Sequence, residues 1–106
     1  MTLIRTLNKK IKFKTVTGPT SYDATNGWKV YIDEIQLIEH ASIAVDKPFR
    51  ENNYVYVVDI AEVSGNVVTL RVYRIDVTAT APSAWAEVPA ATNISALRVT
   101  VIAIGH

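Results

Sequence analysis

The stretch that most constrains this chain is NYVYVVDIAEVSGNVVTLRVYRIDV, residues 53–77. Two long runs rich in β-branched and aromatic residues flank SGN, residues 64–66, and that pattern predicts two strands joined by a tight hairpin turn. Along the first run Val55, Val57, Asp59 and Ala61 alternate with Tyr54, Tyr56, Val58 and Ile60. Both faces carry apolar groups, so both are expected to be covered. Tyr54, Tyr56 and Tyr73 are expected to form cross-strand packing pairs.

The rest of the chain reads the same way. IKFKTV (11–16) alternates strictly, which predicts an edge strand with Ile11 and Phe13 inward and Lys12 and Lys14 outward. WKVYI (28–32) predicts a second strand with Trp28, Val30 and Ile32 on one side. EIQLIEHASIAV (34–45) mixes both periods; its β-branched second half favours a strand, with a helical turn near 33–38 left open. DKPFRENN (46–53) reads as a charged loop. In TATAPSAWAEVPAATNIS (78–95), Pro82 and Pro89 exclude a regular helix, and AWAEV is expected to form one edge strand. ALRVTVIAIG (96–105) is apolar enough to lie centrally in a sheet. Seven or eight short antiparallel strands with frequent turns predict a single-domain all-β fold, a β-sandwich or jelly-roll-like barrel. Its expected span is 11–106, behind a basic N-terminal arm, 1–10.

Charge is unevenly placed along the 106 residues although the net charge is only +1. Arg5, Lys9, Lys10, Lys12 and Lys14 precede the first acidic residue, Asp23. From Val77 onward only Glu87 and Arg98 belong to the charged set Asp, Glu, Lys and Arg. The C-terminal third is therefore expected to be buried or covered by a partner, which suits an assembly protein. The balanced total gives no case for binding nucleic acid or a membrane surface. Cysteine is absent, which excludes disulfides and thiolate metal sites. No apolar run approaches the roughly 20 residues of a membrane span. MTLIRTLNKK lacks the continuous apolar core of a secretory signal, so the mature chain is expected to begin near Met1.

Catalytic chemistry finds little to work with. The two histidines, His40 and His106, form no His-x-His pair, and no phosphate-binding loop is present. His40 beside Glu39 is the only starting material for a serine-type relay, yet neighbours on a strand point to opposite faces. The expectation is a non-enzymatic protein without metal or cofactor.

TGPTSYDATNGW (17–28) is the most distinctive loop. Gly18-Pro19 and Asn26-Gly27 set turns, and Tyr22 and Trp28 are its only bulky side chains. It is expected to be a joint between strands, fastened by those two aromatics to the core or to a neighbouring subunit. The alternative is a sugar-stacking platform of Tyr22, Trp28, Tyr31 and Trp85, as in a carbohydrate- or receptor-binding module of a viral fibre or surface appendage.

Three segments resemble pieces of small β-rich proteins that decorate or cement the capsids of tailed bacteriophages and related viruses. They are TGPTSYDATNGW (17–28), the hairpin AEVSGNVVTLRVYR (61–74), and AWAEVPAATNISALRVTVIAIG (85–105). Together they span most of the chain, and the 46–53 loop departs from that pattern in being more charged. The resemblance implies a non-enzymatic subunit on the virion exterior, a dimer or trimer bridging neighbouring subunits of the major capsid protein shell. It assigns no contact residues. Charge and aromatic placement nominate Arg5, Lys9, Lys10, Tyr22, Trp28 and Trp85 as interface candidates.

Overall fold

The structure is a computed structural model that describes residues 9–45, 50–51, 53–77 and 85–106. Among them are eight strands and no helix: β1 (Lys10–Thr17), β2 (Trp28–Tyr31), β3 (Ile38–Val45), β4 (Arg50–Glu51), β5 (Tyr54–Ser64), β6 (Val67–Asp76), β7 (Ala86–Glu87) and β8 (Arg98–Gly105). They form two antiparallel sheets. Sheet A has the order β1-β8-β3; sheet B has the order β2-β6-β5-β4, with β7 also paired to β6.

The two sheets share one core, as in a β-sandwich. Val99, Val101 and Ala103 of β8 contribute from sheet A, and Trp28, Val30, Tyr56, Val68, Leu70 and Val72 from sheet B. Tyr22, Ile32, Ile35, Val88, Ile94 and Leu97 close it from the connecting loops. The strands lie in two open sheets, so the barrel alternative gains nothing from this arrangement.

The hairpin is built as its sequence requires. Ser64 pairs with Val67 across the two-residue turn of Gly65 and Asn66. Of those two only Gly65 has a positive φ, 59°, the type II′ pattern that matches strand twist. Carbonyls at the hairpin tip also tie the sheets together: Ile32 N–H donates to Asn66 O (2.9 Å) and Ile38 N–H to Gly65 O (2.8 Å). Tyr54 and Tyr56 sit edge-to-face with centroids 6.4 Å apart, and the Arg74 guanidinium lies 4.0 Å from the Tyr54 ring centre. Their cross-strand neighbours are Asp76 and Arg74, and Tyr73 faces Val57, so no two tyrosines pair directly across strands.

Three expectations need correction. The strand expected over 34–45 begins only at Ile38, and the helical turn left open near 33–38 is a tight turn closed by Ile35 N–H on Ile32 O at 3.2 Å. The 46–53 loop contains β4, which pairs Arg50 with Val55 and Glu51 with Tyr54.

The third correction concerns β1, whose faces are reversed. Ile11 and Phe13 are 60% and 70% exposed, and Lys12 and Lys14 lie on the core side. The cause is the register. Val99, Val101 and Ala103 point into the core, and their partners Val16, Lys14 and Lys12 must share that face. At the sheet edge the lysine stems cover the rim while their amines reach polar groups. Lys14 Nζ donates to Tyr31 O at 2.6 Å and Lys10 Nζ to Glu34 O at 3.1 Å.

Candidate functional site

Two polar clusters and one apolar face stand out. The first cluster holds the 17–28 loop. On one side of β6, β2 pairs with residues 67–70 and β7 with residues 73–74, which leaves Arg71 and Val72 between them. Val72 O accepts Val88 N–H at 2.9 Å, and the Tyr22 hydroxyl accepts Val72 N–H at 3.2 Å. That hydroxyl donates to Glu87 Oε2 (2.6 Å), which also receives Arg71 Nη1 (2.9 Å). Arg71 in turn donates to Ala24 O (2.6 Å) and Thr25 O (3.1 Å) in the loop.

The electrostatics follow from these contacts. The hydrogen bond from Tyr22, then Arg71, holds the Glu87 carboxyl below the usual glutamate range. Burial, followed by the neighbouring Glu87, pushes the Tyr22 phenol up. The same loop is stiffened by Asp23, whose Oδ1 accepts the amides of Thr25 and Asn26, each at 2.9 Å. Those bonds, led by Asn26, depress the Asp23 pKa. Gly27 closes the turn with a φ of 80° and donates to Asp23 O at 2.8 Å.

The loop is also sewn to residues 91–97. Gly18 N–H donates to Leu97 O (2.8 Å), Ile94 N–H to Pro19 O (3.0 Å) and Tyr22 N–H to Thr92 O (2.9 Å). Ala91 N–H returns a bond to Tyr22 O at 2.9 Å. The loop is thus a joint fastened to the core. Tyr22 is 1% exposed and Trp28 8%, so neither offers a partner or a sugar a surface. Tyr31 and Trp85 are exposed but lie far apart. Tyr31 pairs with Val67, and Ala86, next to Trp85, pairs with Arg74. Seven residues of strand separate those positions along β6, roughly 23 Å. The four aromatics form no common platform.

The second cluster lies at one end of the outer face of sheet A. Glu39 pairs with Lys9 through one carboxylate oxygen and with His106 Nδ1 (2.7 Å) through the other. Lys9, then His106, holds the Glu39 carboxyl below its usual range. His40, at the irregularity in β3, is exposed on the same face opposite Ile104. No group of three or more histidine, cysteine, aspartate and glutamate side chains is placed to hold a metal ion among the described residues. Of the interface candidates, Lys9 and Lys10 are exposed at this end, Trp85 is exposed by β7, and Arg5 lies outside the described residues.

Sequence reasoning expected the C-terminal third to be buried or covered by a partner, and missed that Ile11 and Phe13 of β1 complete an apolar face beside β8. Successive rows across the outer side of sheet A are Ile11, Ile104 and His40; Phe13, Ile102 and Ser42; then Thr15, Thr100 and Ala44. Ile102 and Ile104 are half-buried beside the exposed Ile11 and Phe13, and the three rows contain no lysine, arginine or carboxylate. The available signal was the unbroken apolar run of Val101, Ile102, Ala103 and Ile104, which leaves both faces of the terminal strand apolar.

No protein-family model, curated protein or solved structure matches the chain.

Proposed function

We propose that this chain is a non-enzymatic structural subunit, a capsid decoration or cement protein that self-associates and bridges neighbouring shell subunits. The observation that carries this reading is the apolar middle of the outer face of sheet A, where Ile11 and Phe13 stand out from Ile102 and Ile104 between the Lys9–Glu39–His106 cluster at one end and Arg98 at the other. A sheet of this size hides one face in the core. An apolar second face marks a surface that works against another protein. The sequence resemblance supplies the kind of assembly. Many copies on a shell make modest individual contacts sufficient, because attachment is multivalent.

The clasped 17–28 and 91–97 loops fit such a role, since a subunit that bridges neighbours needs a stiff body rather than a mobile pocket. The test is co-sedimentation with empty bacteriophage heads stripped of their own decoration protein. The expected result is pelleting with the heads and better head survival under heat or osmotic shock. Protein that stays at the top of the gradient with every head type, leaving survival unchanged, rejects the reading.

A further inference from the structure

We infer that the outer face of sheet A docks onto the same face of a second copy, across a two-fold axis running parallel to β8. This rests on the structural-subunit reading above and names the partner of the same face.

The relief of the face argues for a copy of itself. Its apolar bulk lies on one side, where Ile11 and Phe13 project from β1, and the β3 side is low at Ser42 and Ala44 and rises only at His40. A two-fold axis along β8 lays β1 of one copy over β3 of the other. Phe13 then falls over the second copy's Ser42, Thr15 over its Ala44 and Ile11 over its His40. The axis keeps like ends together, so Lys9 of each copy falls beside Glu39 of the other, joining cations to carboxylates already gathered at that rim. Contacts off the axis occur twice, as an isologous interface requires, while the outward residues of β8 meet their own counterparts on it: Ile104, Ile102, Thr100 and, at the far end, Arg98.

Other arrangements are poorer. An in-plane axis across the strands sets β1 over β1, opposing Phe13 to Phe13 and leaving a gap between the two β3 strands. Pairing β1 edge-to-edge about Phe13 brings Lys12 directly opposite Lys14 of the second copy, a like-charge pair. Face-to-face packing avoids that pair. The lysines guard the edge and the apolar face takes the partner.

Size sets the strength. Three strands of eight residues present a flat area of roughly 26 by 14 Å per copy. That is about half of the roughly 800 Å² each partner buries in a standard interface. The pair is therefore weak and concentration-dependent in solution, and is sustained where a shell concentrates the subunits.

Sedimentation equilibrium on the full chain, from micromolar to near-millimolar, reads this directly. The expected mass rises from 11.7 kDa toward twice that value. Phe13→Glu and Ser42→Arg each weaken association at least about tenfold with an unchanged melting temperature, both sites being exposed. Val57→Ser, on the exposed side of sheet B, leaves it unaltered. Lys9→Glu weakens the pair and adding Glu39→Lys restores it. A wild-type monomer at every concentration, Phe13→Glu assembling like wild type, or a charge swap that restores nothing overturns the inference. Head binding is scored separately. A monomer that still pellets with heads removes the self-pairing and keeps the shell role; a dimer that ignores heads does the reverse.

Discussion

The hydroxyl of Tyr22 accepts the backbone N–H of Val72 at 3.2 Å, in the one break between β2 and β7 along β6. A side chain thereby takes the place of a missing strand partner for a buried amide. Through Glu87 and Arg71 the same hydroxyl ties three segments together: the 17–28 loop, β6 and β7.

Tyr22→Phe keeps the ring and removes that acceptor. Val72 N–H is left without its partner in the core, and Glu87 keeps only Arg71. The expected loss is about 1–3 kcal/mol of unfolding free energy, the cost of an unsatisfied buried group. Urea unfolding measures it. A double-mutant cycle with Glu87→Gln should show coupling, since the two side chains share one bond.

Acid should loosen the same clasp. The Glu87 pKa is depressed in the fold, chiefly by the Tyr22 hydroxyl and then by Arg71, so its contribution exists above the ordinary glutamate value and disappears as pH falls through the folded one. Asp23 and Glu39 shift in the same direction and add to the trend. Melting temperature should fall between about pH 5 and pH 3, and the gap between wild type and Glu87→Gln should narrow over that range. At the alkaline end the raised Tyr22 pKa acts oppositely: its contribution is intact below about pH 10 and is lost as pH rises through the folded value. One tyrosine should titrate late in an absorbance titration.

Two glycines should respond to alanine for different reasons. A Cβ on Gly18 would stand 2.1 Å from the Ile94 carbonyl oxygen, so the 17–28 and 91–97 loops must separate. The expected cost is about 1–3 kcal/mol, as for other overpacked sites. At Gly65 nothing lies within 4 Å and only the positive φ of 59° resists, for about 1–2 kcal/mol. Crystal structures of the two variants should show displaced loops in the first and an unmoved neighbourhood in the second.

Phe13 and Leu70 test which face of each sheet supports the fold. Leu70 is fully buried, and Leu70→Ala should cost about 2–5 kcal/mol. Phe13→Thr should change monomer stability by less than about 0.5 kcal/mol, because its ring lies outside the core. Chemical denaturation at low protein concentration compares the two without interference from self-association.

Much of the architecture could be read from residue order. Alternation and β-branching mark the runs at 11–16, 28–32, on either side of SGN within 53–77, and at 96–105, and the SGN turn sets its hairpin, because these are local steric preferences. The apolar density of 98–105 likewise places β8 at the centre of its sheet, as observed. The joint formed by the 17–28 loop was legible in its turn residues. Its second seam, to residues 91–97, was not, because those backbone bonds join segments some 70 residues apart that have no pattern in common.

Residue order marks most of the extended runs and turns and makes the strands two-faced, although it hides the short β4 within a charged segment. Which face turns inward is set by pairing between distant strands. In β1 a strict alternation of isoleucine, phenylalanine and lysine is compatible with either orientation, and the local reading turns the lysines to water. Pairing with β8 settles it the other way, since the larger buried surface of Val99, Val101 and Ala103 sets the face of every partner in register. The lysines can accept that placement because they are long enough to leave at the rim. Ile11 and Phe13 are thereby left on the outside of the molecule.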